Sequence, residues 1–192
     1  MLTTTKRLLR KYHACRDRYN YLCDKIGDTK DNDIIPLTKI LELNGIDDAI
    51  WALRAVPLKQ QKERDRQARL YACAIVRKTP ISGNKTVWDL LTDERSRNAV
   101  EVSEQFAIGK ATQEELGAAR RAATQAAIDP DGETECGLGW GVVWGVAWIA
   151  ARGMAWEVAR VVAWEVAWEA TRGMARGGAW GYHSKLFIEF FV

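Results

Sequence analysis

The stretch Ala147-Trp-Ile-Ala-Ala-Arg152-Gly-Met-Ala-Trp156-Glu-Val-Ala-Arg160-Val-Val-Ala-Trp164-Glu-Val-Ala-Trp168 repeats with a period of four. Trp or Arg stands at every fourth position from Trp140 through Trp144, Trp148, Arg152, Trp156, Arg160, Trp164, Trp168, Arg172 and Arg176 to Trp180. Ala precedes most of these positions, and Val, Met or Ala mostly follows two places later. On a strand such a period would put every Trp and Val on one face. Ala, Glu, Met and Arg are strong helix formers and weak strand formers, and Glu157, Glu165 and Glu169 fill the remaining position, so the repeat predicts helix. The Gly-rich opening at 137–146 stays open between helix, strand and loop.

A four-residue step turns a helix through roughly 400°, so the Trp and Arg stripe drifts by about 40° per repeat. A single continuous helix would carry tryptophan all round. The chain is therefore expected to break into shorter antiparallel helices, with bends at Arg152-Gly153 and Arg172-Gly173 and a stop at Gly177-Gly178. Small Ala positions would let neighbouring helices approach, with Trp filling the gaps.

Along the repeat a guanidinium at i can lie over an indole at i+4. Trp and Arg also dominate interface hot spots, which makes Trp148, Arg152, Trp156, Arg160, Trp164, Trp168, Arg172 and Arg176 the candidate partner-binding residues. Intramolecular packing is the competing reading, under which the same indoles are core. The ending at 186–192, with Phe187, Ile188, Phe190 and Phe191, is expected to dock on that core.

The residues before the repeat read as short amphipathic helices with local punctuation. Leu8, Tyr12, Cys15, Tyr19, Leu22 and Ile26 follow steps of four and three, the pattern of one helix over 6–26 that Gly27 stops. Pro36 suits a first helical position, and Asn44-Gly45 a C-terminal stop. Asp47 can cap the next helix, with Ile46 and Trp51 placed as a hydrophobic staple. Val56-Pro57 breaks that helix, and a third helical stretch covers 58–78. Its basic residues Lys62, Arg64, Arg66 and Arg69 alternate with Glu63 and Asp65, the mark of a solvated face. Thr86 with Asp89, and Thr112 with Glu115, are capping boxes. A segment with Ala99, Val102 and Phe106 on one side ends at Gly109, and the turn Asp129-Pro130-Asp131-Gly132 closes the first half. The expected fold is all-α: short amphipathic helices packed as helical hairpins over 1–132, then the Ala/Trp/Arg tetrapeptide-repeat region over 133–192 packing on them.

Composition limits function more by exclusion than by pointing. With 192 residues, 47% of them hydrophobic, the chain holds a real core, which excludes disorder and collagen-like structure. A formal charge of +3 is too near balance to demand a polyanion partner. The N-terminus lacks an apolar signal core, and the longest uncharged apolar run, 136–151, is too short to span a bilayer, so a cytoplasmic location is expected. Cys15, Cys23, Cys73 and Cys136 form no C-x-x-C pair and read as reduced, mainly structural thiols without metal. His13 is read as simply exposed. Neither it nor His183 sits in a metalloprotease motif, and no Walker A or nucleophile-elbow pattern is present. Gly137, Gly139 and Gly141 lack the final spacing of a dinucleotide fingerprint. No catalytic residue, cofactor or metal is assigned, and the chain reads as a non-enzyme.

Two segments carry a resemblance. Ile35-Pro-Leu-Thr-Lys-Ile-Leu-Glu-Leu-Asn-Gly-Ile-Asp-Asp-Ala-Ile-Trp-Ala-Leu-Arg54 and Asn98-Ala-Val-Glu-Val-Ser-Glu-Gln-Phe-Ala-Ile-Gly-Lys-Ala-Thr-Gln-Glu-Glu-Leu-Gly-Ala-Ala-Arg120, with the repeat tail behind them, resemble the phage and prophage immunity protein family over roughly 34–180. The tail departs from that family's Ala-dominated form by its many Val, Gly and Trp residues. The resemblance implies an all-helical, phage-borne protein that binds and inhibits another protein, a toxin or a host defence component, and it offers no catalytic residues. A homo-oligomer is compatible with this reading. The alternatives are a nucleic-acid-associated phage protein using the basic stretches 6–18 and 59–78, then a membrane-interface protein using the Trp-rich tail.

Overall fold

The computed structural model describes residues 1–81, 84–128, 145, 155–171 and 176–191. The protein is all-α. In chain order the helices are α1 (Lys6–Lys11), α2 (Arg16–Ile26), α3 (Leu37–Asn44), α4 (Ile46–Ala52), α5 (Gln61–Lys78), α6 (Glu94–Ala107), α7 (Gln113–Ile128), α8 (Ala155–Thr171) and α9 (Arg176–Phe191). Two antiparallel ribbons join them, β1 (Thr3–Thr4) with β2 (Ile35–Pro36) and β3 (Pro80–Ile81) with β4 (Lys85–Thr86).

Helix α5 is the organising element because its segment 71–76 is apolar on every side. All side chains at 71–76 are buried, as a helix hydrophobic all round must be. Helices α6, α8 and α9 and a 3-10 turn at Val87–Leu90 surround it. Ala159, Val162, Ala163 and Val166 on α8 are buried, and α5 is the helix that α8 meets most extensively. The expected docking of the C-terminus is observed. Leu186, Phe187 and Phe191 are buried, and Tyr71 meets the rings of Phe187 and Phe191 edge-on at 5.7 and 5.5 Å. One hydrophobic core thus draws on residues from both sides of the 132/133 boundary.

Several local expectations are met at hydrogen-bond level. The Thr86 amide donates to the Asp89 carboxylate at 2.7 Å, closing a capping box on the 3-10 turn. The Thr112 amide donates to Glu115 Oε2 at 2.7 Å, and the Glu115 amide donates back to Thr112 Oγ1 at 3.2 Å. Gly45 ends α3 at φ 87°, in backbone space that a residue with a Cβ rarely enters.

Other expectations are corrected by packing. The single helix expected over 6–26 is two, because the Tyr12 amide closes α1 on the carbonyls of Leu8 and Arg10, and His13 then turns the chain at φ 61°. The break folds α2 back, so that Leu9 and Leu22 line one hollow with Ile40 and Ala52. Cys15 consequently lies exposed at the N-cap of α2 instead of in a core stripe, and Cys23 is half-buried. Cys73 is fully buried, and its thiol pKa is pushed up by desolvation. Cys136 lies outside the described residues.

Pro36 is extended and precedes α3 instead of opening it. Gly45, not Asp47, holds the N-cap of α4, so Ile46 is already helical and the staple geometry is absent. Asp48 instead accepts from Arg18 Nε at 2.8 Å and Asn44 Nδ2 at 2.7 Å, tying α2 to the α3–α4 turn. Nor is the basic run of α5 simply a solvated face. Arg64 and Arg69 are buried, Arg64 against Asp65 at 2.7 Å and Arg69 over the Phe106 ring at 5.3 Å. Gly177-Gly178, the expected stop, lies within the first turn of α9. The candidate bends Arg152-Gly153 and Arg172-Gly173 and the turn at 129–132 fall outside the described residues.

Candidate partner-binding surface

Of the eight candidate residues, Trp148, Arg152 and Arg172 lie outside the described residues. Trp156 and Trp168 belong by backbone to α8, and Arg176 opens α9. The side chains of Arg160 and Trp164 are described, one turn apart on α8. Arg160 is half-buried, whereas Trp164 keeps 51% of its surface exposed. Ala159, Val162, Ala163, Val166 and Ala167 of the same helix are buried, so a small-residue seam faces inward while Trp164 stands on the open side.

Trp164 is exposed but not loose. Its indole meets Trp180 of α9 edge-to-face, with ring centroids 5.7 Å apart and planes at 79°. Trp180 meets His183 at 5.8 Å and 82°. His183 Nε2 lies 3.1 Å from Thr79 Oγ1, and the Tyr71 hydroxyl donates to the His183 carbonyl at 3.3 Å. A continuous chain of contacts thus runs from an exposed indole to the buried end of α5.

No family model, curated protein or solved structure matches the chain. What the surface can do must be read from its own chemistry.

His183 is fully buried, and desolvation pulls its pKa down to about 4. A neutral imidazole in this position is a structural group at neutral pH. Its pairing with Thr79 was not legible in the sequence, because 104 residues separate the two, whereas its contact with Trp180 is an i, i+3 pair on α9 that spacing alone could have shown.

A second polar cluster braces α5 against α6. Arg77 donates to both carboxylate oxygens of Glu104, at 2.6 and 2.9 Å, and its guanidinium lies 4.1 Å from the centroid of the Trp88 ring. Arg97 approaches the same indole at 5.6 Å. An Arg-Trp-Arg arrangement therefore exists in this protein, outside the repeat where such stacking was expected. Among the described residues no group of His, Cys, Asp and Glu could hold a metal ion, and no helix is long and apolar enough to cross a membrane.

Proposed function

We propose that this chain is a non-enzymatic, phage- or prophage-borne immunity-type protein that binds and inhibits another protein, a toxin or a host defence component. The observation that carries the reading is Trp164. A tryptophan half out in solvent, held edge-on by Trp180, presents a large apolar face without the entropy cost of ordering a mobile side chain. Two further features support it. The segments that resemble the immunity family form the α3–α4 unit, which packs against α9 and through α4 against α8, and much of the α6–α7 pair, of which α6 packs against α5. The repeat residues described on α8 carry apolar burial on one side and Trp164 on the other.

The test is affinity capture from infected host cells, with and without nuclease. The expected result is a stoichiometric protein partner that survives nuclease treatment and is lost with Trp164→Ala. Capture that disappears with nuclease would replace this reading with a nucleic-acid one.

A further inference from the structure

Two hollows on the N-terminal side of the molecule meet at Lys59, which lines both. One, of about 640 Å³, runs between the β1–β2 ribbon and the start of the α5 segment and includes Arg7 and Lys11. The other, of about 650 Å³, runs between α5 and the α6–α7 turn and includes Lys62, Arg66 and Arg69. Together they are lined by six cations and two carboxylates, Glu63 and Asp65. Both carboxylates are already engaged, Glu63 with Arg66 at 3.1 Å and Asp65 with Arg64 at 2.7 Å. Among the described residues Arg7, Lys11, Lys59 and Lys62 make no ion pair.

Two large aliphatic side chains stand out of this basic surface. Leu58 is 79% exposed and Ile34 is 71% exposed, and both line the first hollow. Neither sits on a loose end. Leu58 opens a 3-10 turn, Leu58–Gln60, whose Gln60 Oε1 accepts from the Thr3 amide at 3.0 Å. Ile34 directly precedes β2, where Ile35 is buried and paired with Thr4. The chain holds two apolar knobs in water at fixed positions beside four cations, Arg7, Lys11, Lys59 and Lys62, that make no ion pair among the described residues.

We infer that this surface docks an acidic, amphipathic segment of a protein partner, its carboxylates meeting Arg7, Lys11, Lys59 and Lys62 and its apolar residues covering Leu58 and Ile34. The inference rests on the reading that the chain acts by binding a protein, and it adds the chemistry of that partner. Charge complementarity would steer association, and burial of the aliphatic pair would slow dissociation. A nucleic acid uses the cations but gains nothing from two protruding aliphatic groups, which can neither stack on bases nor pair with phosphate.

The experiment is fluorescence anisotropy of the full chain with three labelled probes at physiological ionic strength. These are a short helical peptide with Glu on one face and Leu on the other, the same peptide with each Leu replaced by Ser, and duplex DNA of matched charge. The amphipathic peptide should bind at least about tenfold more tightly than either of the others, a difference of about 1.4 kcal/mol. Leu58→Ser and Lys62→Glu should each weaken it about fivefold or more, with unchanged melting temperature and helical circular dichroism. DNA or the Ser peptide binding as tightly, no binding of the amphipathic peptide, or an unaltered Leu58→Ser variant would each overturn the inference. Repeating the host capture with these variants separates the two proposals: capture that persists in both variants rejects this surface but keeps the protein-binding reading.

Discussion

His183 Nε2 lies 3.1 Å from Thr79 Oγ1, with both residues fully buried, so the last helix is pinned to the end of α5 by a polar contact that water does not reach. His183 Nδ1 has no hydrogen-bond partner among the described residues. Protonating this ring would place a charge in a buried site where, among the described residues, no carboxylate faces it.

The resulting pH dependence has a definite sign. The folded-state pKa of His183 is pulled down to about 4 from the ordinary 6.5, so the unfolded chain takes up the proton first. The stability contribution is complete above the unfolded value and is lost as pH falls from about 6.5 towards 4. Between pH 7 and 5 wild-type stability should drop by roughly 2 kcal/mol from this group. Urea unfolding of wild type and His183→Gln at the two pH values checks it, and the variant should show a clearly shallower loss.

Arg77 and Glu104 should behave as a coupled pair. Their bidentate contact is about one-third exposed, and Trp88 covers the guanidinium. A double-mutant cycle with Arg77→Ala and Glu104→Ala is expected to give a coupling of about 1 kcal/mol, above that of a freely exposed ion pair. An additive cycle would show that the stack on Trp88 holds Arg77 without help from Glu104.

The small-residue seam of α8 should resist enlargement. Ala159 and Ala163 are fully buried, and α8 makes its largest contact with α5. Ala163→Leu is expected to destabilise by about 1–3 kcal/mol through overpacking, read as a lower urea midpoint.

Aromatic truncations should separate core from surface. Phe187 is fully buried against Tyr71 and Phe191, and Phe187→Ala should cost about 3–5 kcal/mol. Trp164→Ala removes a half-exposed side chain and should cost about 1 kcal/mol, while abolishing capture of the partner. Thermal melts beside the capture assay distinguish the two. Equal losses of stability would return Trp164 to a purely structural role.

Local chemistry made much of this fold legible from the chain alone. The capping boxes at Thr86 and Thr112, the glycine stop at Gly45 and the helical character of 155–171 each depend on residues within one or two turns of one another. Those interactions compete only with water and with neighbouring backbone, so the same residues give the same outcome in almost any context. The positions where expectation and structure part company are those where distant elements compete for the same space. A regular apolar stripe favoured one helix over 6–26, yet burial of Leu9 and Leu22 against Ile40 and Ala52 outweighs a continuous hydrogen-bond ladder and breaks it at His13. Charge alternation marked Arg64 and Arg69 as solvated, but Leu53, Asp65 and Phe106 supply partners for their guanidinium groups and allow burial. The propensity of Gly177 and Gly178 to end a helix is worth about 1 kcal/mol per residue, less than α9 gains by burying Leu186, Phe187 and Phe191 against α5. Short-range preferences determined the helix starts and stops that lie within local motifs, at Thr86, Thr112 and Gly45. Contacts across 100 residues or more, such as Thr79 with His183, decided which faces those helices bury, because only the assembled core sets the dielectric and the space that each side chain meets.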